Sequence, residues 1–147
     1  MNQTKFVYVS YISANQEKIW KALIDPEMTL KYWQHVNVSD WKPGSIWEHR
    51  QRDQDGPIDL VGKVVEFLPP QKLVLTWAFL EDKEAEEKHS KVTVELEPFQ
   101  GVVRLTLTHE GLEVDSDMMI GITEGWPKVI SSLKSLMEAG KPLPRLW

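Results

Sequence analysis

The sequence predicts an α+β fold, a largely antiparallel sheet with one long helix laid across it. Three observations carry this. In residues 115–140, Trp126, Val129, Ile130, Leu133, Leu136 and Met137 recur at helical spacing and form one apolar stripe. Such a one-sided helix needs a surface to bury its stripe. Upstream, Val92, Val94 and Leu96, then Val103, Leu105 and Leu107, alternate with polar residues, the pattern of strands with one core face and one wet face. Six or seven strand-like segments are joined mostly by hairpin-length turns, so they pair antiparallel.

Taken in order, residues 6–12 (FVYVSYI) are β-branched and aromatic and read as a strand with both faces at least partly covered. Asn15 suits the N-cap of a helix over 16–24, with Ile19, Trp20 and Leu23 on one face. Asp25 and Pro26 stop that helix and start a second, Pro26 at its first position and Asp25 as its cap, ending at Tyr32 or Trp33. Residues 36–41 form a short strand, Lys42-Pro43-Gly44-Ser45 a type II turn, and 46–50 the returning strand. Residues 58–68 are a strand in which Gly62 marks a bulge or strong bend. Residues 72–79 place Leu73, Leu75, Trp77 and Phe79 on one face. After the charged loop EDKEAEEK come the two alternating strands and the long helix. Pro127 removes a hydrogen bond to Thr123 and bends that helix to follow the sheet. The tail, 141–147, contains two Pro and cannot extend it; Leu146 and Trp147 pack back on the body.

The chain is most simply one domain spanning 1–147, with its core at about 5–140, long enough to bury that core unaided. It has no Cys, which excludes disulfides, thiolate nucleophiles and Cys-held metals. A net charge of −5 argues against a general nucleic-acid binder. No signal peptide or apolar run of membrane-spanning length is present, so the expectation is a cytoplasmic protein, monomer or homodimer, that neither enters a membrane nor holds nucleic acid.

Several strings, in order, resemble a known family. They are IWKALIDPE (19–27), KYW (31–33), GKVVE (62–66) with Pro69-Pro70, LVLTW (73–77), VTVEL (92–96), LTLTHEG (105–111) and GWP (125–127) with LKSL (133–136). The chain resembles the START-like helix-grip (SRPBCC) superfamily, and within it the branch named for the activator of the heat-shock protein 90 ATPase. The resemblance implies a curved antiparallel sheet gripping the C-terminal helix, with a hydrophobic pocket between them. It also implies two partner classes, a small apolar or aromatic ligand and a chaperone, and a stress-response role.

Seven Trp are many for this length. Trp20, Trp33, Trp47, Trp77 and Trp126 come from different elements and converge either as a packed core or as an aromatic-walled pocket. With them as wall residues go Phe79, Leu105, Met119, Ile130, Leu133 and one carboxylate, Glu66. Glu66 shares a strand face with Gly62 and Val64, and in a cavity it would be desolvated; its competing place is in water or beside a Lys. Met28, Met118 and Met137 are adaptable lining. No catalytic constellation is legible: GxSxG, HExxH and Gly-rich phosphate loops are all absent. The four His show no metal-ligand spacing, and His109 reads as a turn histidine satisfied by hydrogen bonds. The expectation is therefore a ligand-binding or chaperone-associated domain without cofactor or metal. Stimulation of a chaperone ATPase comes second, and a cyclase- or hydrolase-like enzyme using a cavity carboxylate comes last.

Overall fold

The computed structural model describes residues 3–147. Seven strands among them form one curved antiparallel sheet in the order β1-β7-β6-β5-β4-β3-β2. The strands are β1 (Gln3–Ile12), β2 (His35–Ser39), β3 (Ile46–Gln51), β4 (Ile58–Leu68), β5 (Lys72–Phe79), β6 (Ser90–Phe99) and β7 (Val102–Glu113). The helices are α1 (Gln16–Ile24), α2 (Pro26–Trp33) and α3 (Asp117–Ala139). From β2 to β7 the chain meanders, and β1 adds to the outer edge of β7. This is the expected α+β helix-grip arrangement.

Local chemistry fixes the helix ends. The Asn15 side chain accepts from the Lys18 amide at 2.7 Å. Asp25 serves two helices: its N–H donates to the Lys21 carbonyl and ends α1, while its carboxylate accepts from the Glu27 amide at 2.9 Å and begins α2. Pro26 then fills a position that needs no N–H. Ser116 caps α3 through the Met119 amide, and Gly140, at φ +76°, closes it in the left-handed conformation. Between these ends α3 runs unbroken through Pro127.

The stripe on α3 is wholly buried, from Ile122 and Trp126 to Leu136 and Met137. It meets the inward residues of β5, β6 and β7, among them Leu75, Trp77, Val92, Val94, Leu105 and Leu107. The β6 and β7 alternation holds as read: Val92, Val94, Leu96, Val103, Leu105 and Leu107 are buried.

Four local expectations change. Gly62 is a site of close approach rather than the bulge. The bulge falls between Val64 and Glu66. At Gly62 the β4–β5 ladder opens, and side chains fill the gap: Trp47 Nε1 donates to the Thr76 carbonyl at 2.7 Å, and the Lys63 amide donates to Thr76 Oγ1 at 2.8 Å. A Cβ on Gly62 would lie 1.9 Å from the Thr76 oxygen and 2.5 Å from Trp47 Nε1. Second, the outer face of β1 is open, with Val7, Val9 and Tyr11 exposed. Third, Leu146 and Trp147 do not pack back on the body; the tail is held instead at Leu143, whose amide donates to Ser132 Oγ at 3.1 Å. Fourth, Ser132 is accordingly buried, although its place in the helical pattern reads as solvent-facing.

Candidate functional site

A cross-strand row lays out one wall of the site. Asn37 on β2 pairs with His49 on β3, His49 with Leu60 on β4, and Leu60 with Phe79 on β5. Residues two apart on a strand share a face, so Trp47 and Trp77 belong to the same inner surface as His49 and Phe79. Opposite them lie the last residue of α2, Trp33, and the N-terminal half of α3. Between the two walls is a cleft of about 210 Å³, lined by Trp33, His49, Leu60, Trp77, Phe79 and Trp126, and by Asp117, Met118, Gly121, Ile122, Gly125 and Val129 of α3.

The rings around the cleft form a connected set. Trp33 lies 4.5 Å from His49 and 5.5 Å from Trp126, centroid to centroid, and Trp77 lies 5.2 Å from Trp126 and 4.9 Å from Trp47. On the helix side the wall is thin: a Cβ at Gly121 or Gly125 would meet no atom within 4 Å.

Of the residues expected to form a pocket wall, Trp33, Trp77, Phe79 and Trp126 line the cleft. Ile130 borders a smaller apolar void of about 40 Å³ beneath it. Trp47 is fully buried behind Trp77. Leu105 and Leu133 are solid core with no exposed surface, and Met119 packs against the core beside the cleft. Met118 does line the cleft. Trp20 belongs elsewhere, to an open surface groove with Trp41 and Phe67. That groove is larger, about 620 Å³, and more open to solvent, and it mixes Trp41 and Phe67 with Lys21, Asp25, Ser39 and Gln54. Glu66 is outside both and pairs with Lys72 at 3.4 Å on the surface. The bulge after Val64 reverses the alternation that would have turned it inward.

Two histidines that were not read as site residues lie at the centre. His49 is buried, and its Nδ1 is 2.8 Å from Asn37 Oδ1. Its ring stacks on His35 at 4.4 Å, and His35 in turn reaches Asp59 at 2.9 Å. Burial, reinforced by neighbouring His35, holds His49 well below the ordinary histidine range, so it is neutral. His109 is buried in β7 rather than in a turn, and it is hydrogen-bonded at both nitrogens. Trp126 Nε1 donates to its Nδ1 at 3.0 Å, and its Nε2 donates to Ser90 Oγ at 2.8 Å. The Ser90 hydroxyl passes the chain on to the Trp77 carbonyl at 2.9 Å. Burial pushes the His109 imidazole down to about 4, which keeps this relay neutral. Strand parity was the available signal for both. His49 is two residues from Trp47, and His109 is two from Leu107.

Trp77 Nε1 is buried without a hydrogen-bond partner, unlike the indoles of Trp47 and Trp126. Among the described residues no group of three His, Cys, Asp or Glu could hold a metal ion. None of the helices described is long and apolar enough to cross a membrane.

A long amphipathic helix laid across a curved antiparallel sheet, with an aromatic cleft between them, defines a START-like helix-grip domain. Comparison with known proteins narrows this. Residues 13–138 match the family model described as Activator of Hsp90 ATPase homolog 1-like protein, and the chain belongs to that family. No curated protein matches its sequence. Solved structures share the fold. The Aha1 dimer from Colwellia psychrerythraea is similar at 22% identity and a TM-score of 0.77, over 94% of this chain and 98% of that one. Protein MLL2253 from Mesorhizobium loti is 24% identical with a TM-score of 0.75, covering 92% and 98%. CalU16 from Micromonospora echinospora is 18% identical with a TM-score of 0.73, covering 95% and 77%.

Proposed function

We propose that the chain is a non-enzymatic binding domain whose cleft under α3 takes a small apolar or aromatic molecule. The observation that carries this is the cleft itself. Four aromatic side chains, Trp33, Trp77, Phe79 and Trp126, surround about 210 Å³ of space, and two glycines keep the helix side open. The cleft opens to solvent, so a flat molecule can enter it without displacing core side chains. Nothing around the cleft supplies a nucleophile or paired carboxylates.

Titration with naphthalene, read on the indole N–H resonances, tests the reading. Saturable shifts of the Trp33, Trp77 and Trp126 signals are expected. Native mass spectrometry of freshly purified protein, compared with a denatured sample, adds a search for a retained ligand. Failure of both would remove the proposal.

Family membership favours a second reading, stimulation of a heat-shock protein 90-type ATPase through the domain surface. Adding the chain to such a chaperone should then raise ATP turnover; unchanged turnover removes this reading for that partner.

A further inference from the structure

The polar groups of the cleft determine which end of a hydrogen bond a ligand must bring. Among the cleft-lining indoles, Trp126 gives its N–H to His109. The Trp77 N–H has no partner, but it is buried in the wall and has no surface from which a ligand could accept it. His49 is different. A neutral imidazole carries one N–H, and here it sits on Nδ1, where Asn37 Oδ1 accepts it at 2.8 Å. Nε2 therefore keeps a lone pair. Among the described residues Nε2 has no hydrogen-bond partner, and the ring forms part of the cleft wall. One face of His49 is covered by His35, stacked at 4.4 Å, and Trp33 lies tilted against it at 4.5 Å. The ring is thus fixed by packing as well as by Asn37.

Charge and size narrow the ligand further. The lining described includes one carboxylate, Asp117, and no Lys or Arg, so an anionic head group would meet no counter-charge. A volume of about 210 Å³ is small for a ligand site, below the range for drug-sized molecules, and suits one or two fused rings. The walls are aromatic, which favours planar partners.

From these observations we infer that the cleft selects a neutral, hydroxyl-bearing aromatic molecule, whose O–H donates to His49 Nε2. The inference rests on the binding role proposed above and adds its chemical selectivity. Three probes separate the two: 2-naphthol, which donates; 2-methylnaphthalene, of nearly equal shape, which neither donates nor accepts; and 2-methoxynaphthalene, one methyl larger, which only accepts. Each is titrated into the wild-type protein, with the indole N–H signals giving affinity and the nitrogen resonances of the histidines giving contact. The expected result is that 2-naphthol binds roughly five- to tenfold tighter than 2-methoxynaphthalene, the yield of one neutral hydrogen bond. Only 2-naphthol should move the His49 Nε2 resonance, and His109 should stay still.

In His49→Phe the preference for 2-naphthol over 2-methylnaphthalene should vanish. The wild-type comparison decides the matter if that variant does not fold. Equal affinity for the hydroxyl and methoxy probes, or a preference for methoxy, overturns the inference and leaves binding intact. If none of the three binds saturably, the binding role falls and the inference with it.

Discussion

Acid should weaken this fold in a way that can be traced to His109. Its imidazole titrates at about 4 in the folded protein because it is buried, against about 6.5 when unfolded. Between those values the unfolded chain binds the extra proton and the folded one resists it. Stability from this group is therefore complete above pH 6.5 and is lost as the pH falls towards 4. Integrating the difference gives a loss of about 2 kcal/mol between pH 7 and pH 5 from His109 alone. His49, lowered in the same direction, adds to it. The geometry explains the resistance: protonating Nδ1 would put two donors face to face, since Trp126 Nε1 already points there at 3.0 Å. Urea denaturation of wild type and His109→Phe at a series of pH values provides the assay. At pH 7 the variant should be weaker by about 1–3 kcal/mol, because the Trp126 N–H loses its buried acceptor. By pH 5 that gap should narrow by about 2 kcal/mol, the wild type having lost what the variant never had. A gap that stays constant from pH 7 to pH 5 would refute the argument.

Other substitutions follow from the same contacts. Gly62→Ala drives a methyl into the Thr76 carbonyl and the Trp47 indole and should cost roughly 3 kcal/mol or more, read as a lower urea midpoint. Trp126→Phe breaks the bond to His109, whereas Trp77→Phe removes an N–H that had no partner. The first should therefore be the more destabilising by about 1 kcal/mol, and equal losses would count against the assigned bonds. Gly121→Ala and Gly125→Ala meet no atom and improve helix propensity, so each should stabilise by about 0.5–1 kcal/mol while narrowing the cleft. Weaker naphthalene binding alongside a raised melting temperature is the expected pair of results.

Much of the fold was legible because one-sided burial leaves a period in the sequence. Helices α1 and α2 end where Asn15, Asp25 and Pro26 indicate, since caps are local chemistry. Strands β6 and β7 alternate because one face is wet. The site was less legible. The indoles drew attention as large aromatics, yet which ones share a cleft depends on strand register and on where α2 ends, and neither is a local property. Trp20, on α1, went to a different surface for that reason. Glu66 takes the second of its two expected places, beside Lys72, because a single bulged residue reverses the parity of everything beyond it. His49 leaves no ligand spacing in the sequence because it acts singly through a hydrogen bond, and His109 is satisfied by hydrogen bonds as expected, though in a strand rather than a turn.

The break in the β4–β5 hydrogen-bond ladder at Gly62 has a consequence for the cleft. On one side of the break β4 carries Leu60 and leads to His49; on the other β5 carries Trp77 and Phe79. The two halves of the floor are stitched there by an indole and a hydroxyl rather than by backbone alone. A residue on a third strand, Trp47, thus acts as a rivet through the floor, and the spacing of the rings that a ligand would touch is gauged from beneath.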